Sequence, residues 1–332
     1  MCTRISRVPD CSKRDASRGN GGMTRRGFLQ QAGVAAASWA AFARLDWAMP
    51  RSLPNPVGCS VISWAQDAFE QAFEAISALD YQGVQLLPWV QDAYAGGRTP
   101  ELKERLQKLK LFPAALSCRG VSLRPDSSET FQTKFQEDAD FLRNLGGSVM
   151  QVTDGGKPHV TYTAGQIKSL GAKMNELGKR AKDSGLTLGY HPHFGTLGET
   201  RAGLGSVLDA TDPRYVGLIA DIAHLKLGGS NPAEVIRTYH QRLVMLHLKD
   251  VRRDAYDLAR RNRDEIGKLK AWFCEVGHGV VDYSAVTASL RHSGFRGWGI
   301  VELDRFEPPP GGPAESARIN KAALQALGFK IG

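Results

Sequence analysis

The stretch "QIKSLGAKMNELGKRAKDSGLTLGYHPH" runs from Gln166 to His193 and holds two periodicities side by side. Up to Gly185, apolar residues recur at helical spacing among charged ones, which predicts an amphipathic helix stopped by glycine. The next run, "LTLGYH" (186–191), is short and apolar, which predicts a buried strand. It ends abruptly in two histidines flanking a proline. Helix, strand and polar strand end together make one repeating unit of an α/β protein.

The unit recurs along the chain. Further candidate strands are "VGCSVISW" (57–64), "GVQLLP" (83–88), "LFPAALSC" (111–118), "GSVMQVT" (147–153), "YVGLIAD" (215–221), "LVMLHLKD" (243–250) and "GWGIVELD" (297–304). Amphipathic patterns lie between them. "AFEQAFEAISALD" places Phe69, Phe73, Ile76 and Leu79 on one face, and "ELKERLQKLK" (101–110) is built alike. Strands alternating with helices imply parallel pairing through crossover helices. Eight such units match the roughly 250 residues of a single (β/α)8 TIM barrel, with a doubly wound sheet as the runner-up. The charged segment 251–273, "VRRDAYDLARRNRDEIGKLKAWF", reads as a helical insertion after the seventh strand, near the site face. No linker divides the barrel, so residues 50–332 are expected to form one domain.

Residues 1–49 read differently. They carry eight Lys/Arg and three acids, which is +5 of the chain's formal +9 and leaves +4 on the remainder. That modest surplus is an ordinary solvated surface and argues against nucleic-acid binding. "TRRGFLQ" (Thr24–Gln30) followed by the short apolar "AGVAAASWAAFA" (Ala32–Ala43) resembles a twin-arginine export signal with a small-x-small cleavage site. The run is too short for stable membrane insertion. Export to the periplasm or the exterior is therefore expected, with a disordered leader up to residue 49. Cys59, Cys118 and Cys274 remain beyond the leader, an odd count without CxxC spacing, which argues against a disulfide framework or a cysteine zinc site and leaves room for at most one pair.

A barrel keeps its chemistry at the C-terminal ends of its strands. Four consecutive ends are polar here: His191-Pro192-His193, then Asp221 with His224 close behind, then His247-Leu248-Lys249-Asp250, then Glu302-Leu303-Asp304-Arg305. Imidazole and carboxylate together suit one borderline divalent ion such as Mn, Zn, Co or Fe. Asp221, His247 and Glu302 are the candidate ligand set. His278 in "VGHGV" and His159, His240 and His292 fall on loop or helix positions.

"YHPHFGT", "DIAHL", "LHLKDV", "VGHGVVDYSAV" and "GWGIVELD" resemble the xylose isomerase-like TIM barrels, the sugar phosphate isomerases/epimerases, over about residues 57–328. The nearest branch is that of the inosose dehydratases. The ketose 3-epimerases of this superfamily hold one divalent ion through Glu, Asp, His and Glu on strands five to eight. Carried over, Asp221, His247 and Glu302 match, and the first Glu falls on His191, a departure. His191 is then a fourth ligand or a base, and the paired glutamates of the epimerases are broken. Gln85 and Gln151 also stand near strand ends where many relatives carry Glu.

The resemblance implies a metal-dependent isomerase or epimerase working through an enediolate on a keto-sugar or keto-cyclitol. The alternatives are an inosose dehydratase-like lyase and a non-catalytic sugar-binding barrel. Glu302 or His191 is the implied base, and His193 or Lys249 the acid. His224, Asp304 and Arg305 are candidate substrate contacts. A small carbohydrate is the expected partner, and a homo-oligomer is compatible with the sequence.

Overall fold

Each apolar run becomes a strand because it can be buried on both faces, between a helical layer and the barrel interior. A computed structural model of the chain describes residues 52–125, 132–157 and 160–332. Residues 1–49, where a twin-arginine leader is expected, and His159 lie outside the described residues. Pro50–Gly332 forms one compact unit.

The barrel strands are β1 (Val57–Ser60), β2 (Gly83–Leu86), β3 (Phe112–Leu123), β4 (Val149–Asp154), β5 (Thr187–Tyr190), β6 (Val216–Asp221), β7 (Leu243–Leu248) and β10 (Trp298–Val301). All neighbours pair in parallel, and β1 pairs with both β2 and β10. The sheet is closed, which rules out the doubly wound alternative. The insertion contains a helix, Arg253–Arg261, but also what its charge pattern did not announce. Asp250–Val251 (β8) and Phe273–Cys274 (β9) pair as a small antiparallel sheet. Among the described residues, no helix is long and apolar enough to cross a membrane.

Local chemistry sets the element ends. The helix before β5 spans Ala164–Asp183, two residues earlier than hydrophobic periodicity suggests, because Thr163 and Gln166 cap each other reciprocally. It ends where Gly185 takes φ +75°, the left-handed conformation that glycine adopts without a Cβ penalty. The first strand stops at Ser60, whose hydroxyl accepts from the Ile62 N–H and starts a short 3-10 turn.

Inside the barrel, Ala114, Ala115, Val149, Ile219, Met245 and Ile300 form their own apolar cluster. Side chains alternate along a strand with period two. The residues two positions beyond Val149, Ile219, Met245 and Ile300 are Gln151, Asp221, His247 and Glu302. The apolar layer thus fixes which side chains form the polar layer above it. Gly189 on β5 leaves room in this interior, since a Cβ there would lie 2.4 Å from Ile219 Cγ1.

Candidate metal centre

Strand ends five to eight deliver four side chains to one point. His191 follows β5, Asp221 closes β6, His247 lies within β7 and Glu302 follows β10. All four are buried, and each offers a ligand atom within 4.8 Å of the others. His191 Nε2 lies 3.1 Å from Asp221 Oδ2 and 3.1 Å from His247 Nδ1. His247 Nδ1 lies 3.3 Å from Asp221 Oδ2 and 3.2 Å from Glu302 Oε2. Ligands of a tetrahedral zinc at 2.0–2.1 Å would stand about 3.3 Å apart, a spacing that these four separations match.

Lys249 enters the same group from just beyond β7. It is fully buried, a position that a lysine tolerates only when it is paired. Its Nζ reaches Asp221 Oδ2 at 2.9 Å, Glu302 Oε2 at 2.6 Å and Asp304 Oδ1 at 2.7 Å. Phe273 from β9 lies beside it, its ring centre 4.9 Å from that ammonium. Nothing in the charged insertion singled Phe273 out.

The electrostatics follow from three carboxylates sharing few cations in a dry site. Burial opposes every charge here, yet neighbouring opposite charges outweigh it. Lys249 stays protonated, its pKa raised well above the ordinary lysine value against burial by Asp221, Asp304 and Glu302. Asp221 and Asp304 are held well below the usual carboxylate range despite burial, chiefly by Lys249. Glu302 is likewise lowered by His247 and Lys249. His247 is raised to about 9, against burial, by Glu302 and Asp221. His191 goes the other way, lowered to about 4 by burial and by the charge on His247. Burial, His224 and His191 likewise hold His193 well below the ordinary histidine value.

The remaining candidates separate. His224 belongs to the site. Its Nδ1 accepts from the Phe194 N–H at 3.1 Å, which leaves the proton on Nε2. That buried Nε2 has no hydrogen-bond partner and sits 3.7 Å from Asp304 Oδ2. His193 stacks on His224 with ring centres 4.0 Å apart. Arg305 is exposed and its guanidinium lies over Trp272 at 4.3 Å, on the rim rather than among the carboxylates. His278, His240 and His292 are exposed. Asp250 is buried but faces away, accepting backbone N–H groups of Val251, Gly277 and Val281. Behind the four donors lie Gln85 of β2 and Gln151 of β4, each hydrogen-bonded to one of the two histidines.

The chain is similar to several known proteins. Inosose dehydratase from Lacticaseibacillus casei is 27% identical over 297 residues, spanning 81% of this chain and 96% of that protein. Inosose dehydratase from Bacillus cereus (strain AH820) is 28% identical over 294 residues, spanning 81% and 96%. Among solved structures, the probable 3-DHS dehydratase AsbF from Bacillus anthracis superposes with a TM-score of 0.65 at 13% identity, covering 82% of this chain and 98% of that one. The IOLI protein with a bound zinc atom gives 0.61 at 16% identity, covering 82% and 95%. The family match itself spans residues 73–323, nearly the whole barrel, and with it the chain belongs to the xylose isomerase-like TIM barrel family.

Proposed function

We propose that this protein is a metal-dependent lyase that removes water from a keto-cyclitol or keto-sugar. The isomerase or epimerase reading, placed first on sequence grounds, becomes the second. The carrying observation is the asymmetry of the site. Epimerisation by two carboxylates needs one on each side of the reacting carbon, and His191 stands where the second glutamate is expected. Elimination needs one base and one proton donor, and Glu302 and Lys249 provide them 2.6 Å apart. The inosose dehydratase relatives support the same reading.

The ion would be held by Asp221, His247 and Glu302, whose mixed donors suit Mn, Zn, Co or Fe, with His191 beside them. When bound, it would supply a Lewis acid that draws charge from the carbonyl oxygen of the ketone. Glu302 takes the α-proton as the carbon–carbon double bond forms. The bond to the β-hydroxyl breaks, and Lys249 gives its proton so that water leaves. Losing that ammonium charge makes Glu302 a stronger base while the reaction proceeds. The proton then returns from Glu302 to Lys249 across their contact. His193, held neutral, braces His224 rather than serving as the acid. The free Nε2–H of His224 and the carboxylate of Asp304 hold substrate hydroxyls, and Arg305 stays at the rim.

The test is to incubate the metal-loaded protein with an inosose in heavy water and follow the mass. Loss of one water supports the lyase. Deuterium uptake without loss of water would return the assignment to an isomerase or epimerase. Neither event would leave a sugar-binding barrel. For the leader, we propose twin-arginine export. Arg25→Lys with Arg26→Lys should retain the protein in the cytoplasm on fractionation, and unimpaired export of that pair would overturn the proposal.

A further inference from the structure

The two histidines of the centre are joined by an unbroken chain of side-chain hydrogen bonds. His247 Nε2 lies 2.9 Å from Gln85 Oε1. Gln85 Nε2 donates to Gln151 Oε1 at 2.9 Å and to Ser117 Oγ at 3.1 Å. Gln151 Nε2 lies 2.9 Å from His191 Nδ1. Gln85 and Gln151 are both buried, so their polar groups need these partners.

A carboxamide has one donating end and one accepting end. The chain can therefore run in only one sense at a time. As the amides stand, His247 Nε2–H donates to Gln85, Gln85 to Gln151, and Gln151 to the lone pair of His191 Nδ1. Reversing both amides exchanges the roles of the two histidines but does not make them alike. A neutral imidazole carries one proton. His191 must then carry its proton on Nε2, the atom that faces the centre. The proton that His247 also holds on Nδ1 leaves this sense unchanged, because its Nε2–H still needs Gln85 Oε1.

We propose that Gln85 and Gln151 are positioning residues that set the two histidines oppositely. His247 can turn a lone pair towards a cation, whereas His191 presents an N–H, held 3.1 Å from Asp221 Oδ2. His191 is then a hydrogen-bond donor at the edge of the cation site and not its fourth ligand. Making it a ligand breaks one buried bond in the chain. The consequence for the cation rests on the metal-centre reading above; the tautomers do not.

The experiment is imidazole 15N NMR on the metal-free protein, combined with calorimetric zinc titration. Wild-type His191 should show the Nε2–H form. In Gln151→Glu the new carboxylate accepts from both neighbours, so both outer nitrogens can carry protons. His191 should switch to the Nδ1–H form, and zinc should bind about tenfold tighter, equivalent to roughly 1.4 kcal/mol for one buried hydrogen bond no longer sacrificed. Gln85→Glu satisfies the chain in the same way and should give the same switch, which keeps the test decisive if one variant folds poorly. An added negative charge by itself would tighten zinc binding but would not move the tautomer. A wild-type His191 in the Nδ1–H form, or a tautomer unmoved in both variants, overturns the proposal. Wild-type protein that shows Nε2–H at His191 yet binds no zinc upholds the chain and sinks the metal-centre reading alone.

Discussion

Replacing Lys249 by methionine tests the charge balance of the centre. The methionine keeps the length of the stem and removes one ammonium that touches three carboxylate oxygens at 2.6–2.9 Å. Those carboxylates are then buried with only His247 to offset them. Breaking a buried pair by deleting one partner costs about 3–5 kcal/mol. For a domain of this size, that lowers the melting temperature of the metal-free protein by roughly 6–10 °C. A divalent cation should restore much of the loss, since saturation at 100 times Kd contributes about 2.7 kcal/mol. It should also bind more tightly than to wild type, because no ammonium competes for Asp221 Oδ2 and Glu302 Oε2. Dehydration should nevertheless vanish for want of the proton donor. The assay is differential scanning calorimetry with and without Mn or Zn, with turnover measured on the same samples. A melting temperature within 2 °C of wild type, or unaltered metal affinity, would refute the idea that Lys249 balances ionised carboxylates.

Asp221→Asn combined with Glu302→Gln should abolish stoichiometric metal binding in equilibrium dialysis, because it removes both anionic ligands of the set. Metal uptake should weaken with acid. His247, raised to about 9, is protonated below that value and must release the Nδ1 proton to accept a cation, so apparent affinity should fall about tenfold per pH unit beneath it. In the metal-free protein the sign is opposite for stability: the contribution of charged His247 is complete below its unfolded-state value near 6.5 and is lost as pH rises through about 9. Calorimetry in buffers of different ionisation heat reads the released proton, and pH-independent binding between pH 6 and 8 would contradict the assignment. Gly189→Ala should cost about 1–3 kcal/mol in urea titration, because its Cβ would press on Ile219 inside a filled barrel.

The alternation of helix and strand is a local property, written in periods of 3.6 and two, so the barrel could be read from the chain. So could the convergence of Asp221, His247 and Glu302, since each sits two residues beyond an apolar barrel-filling residue. Other features depend on closure. Gln85 and His247 are 162 positions apart and meet only because β1 seals the sheet against β10. No local pattern marks a glutamine on β2 as the neighbour of a histidine on β7. The burial of Lys249 among three carboxylates, the turning of Arg305 onto Trp272 and the stacking of His193 on His224 have the same origin. A residue's type fixes the chemistry it can perform. Whether it is charged, and which nitrogen holds its proton, is set by partners that the fold brings from distant parts of the chain into a site too dry for water to screen them.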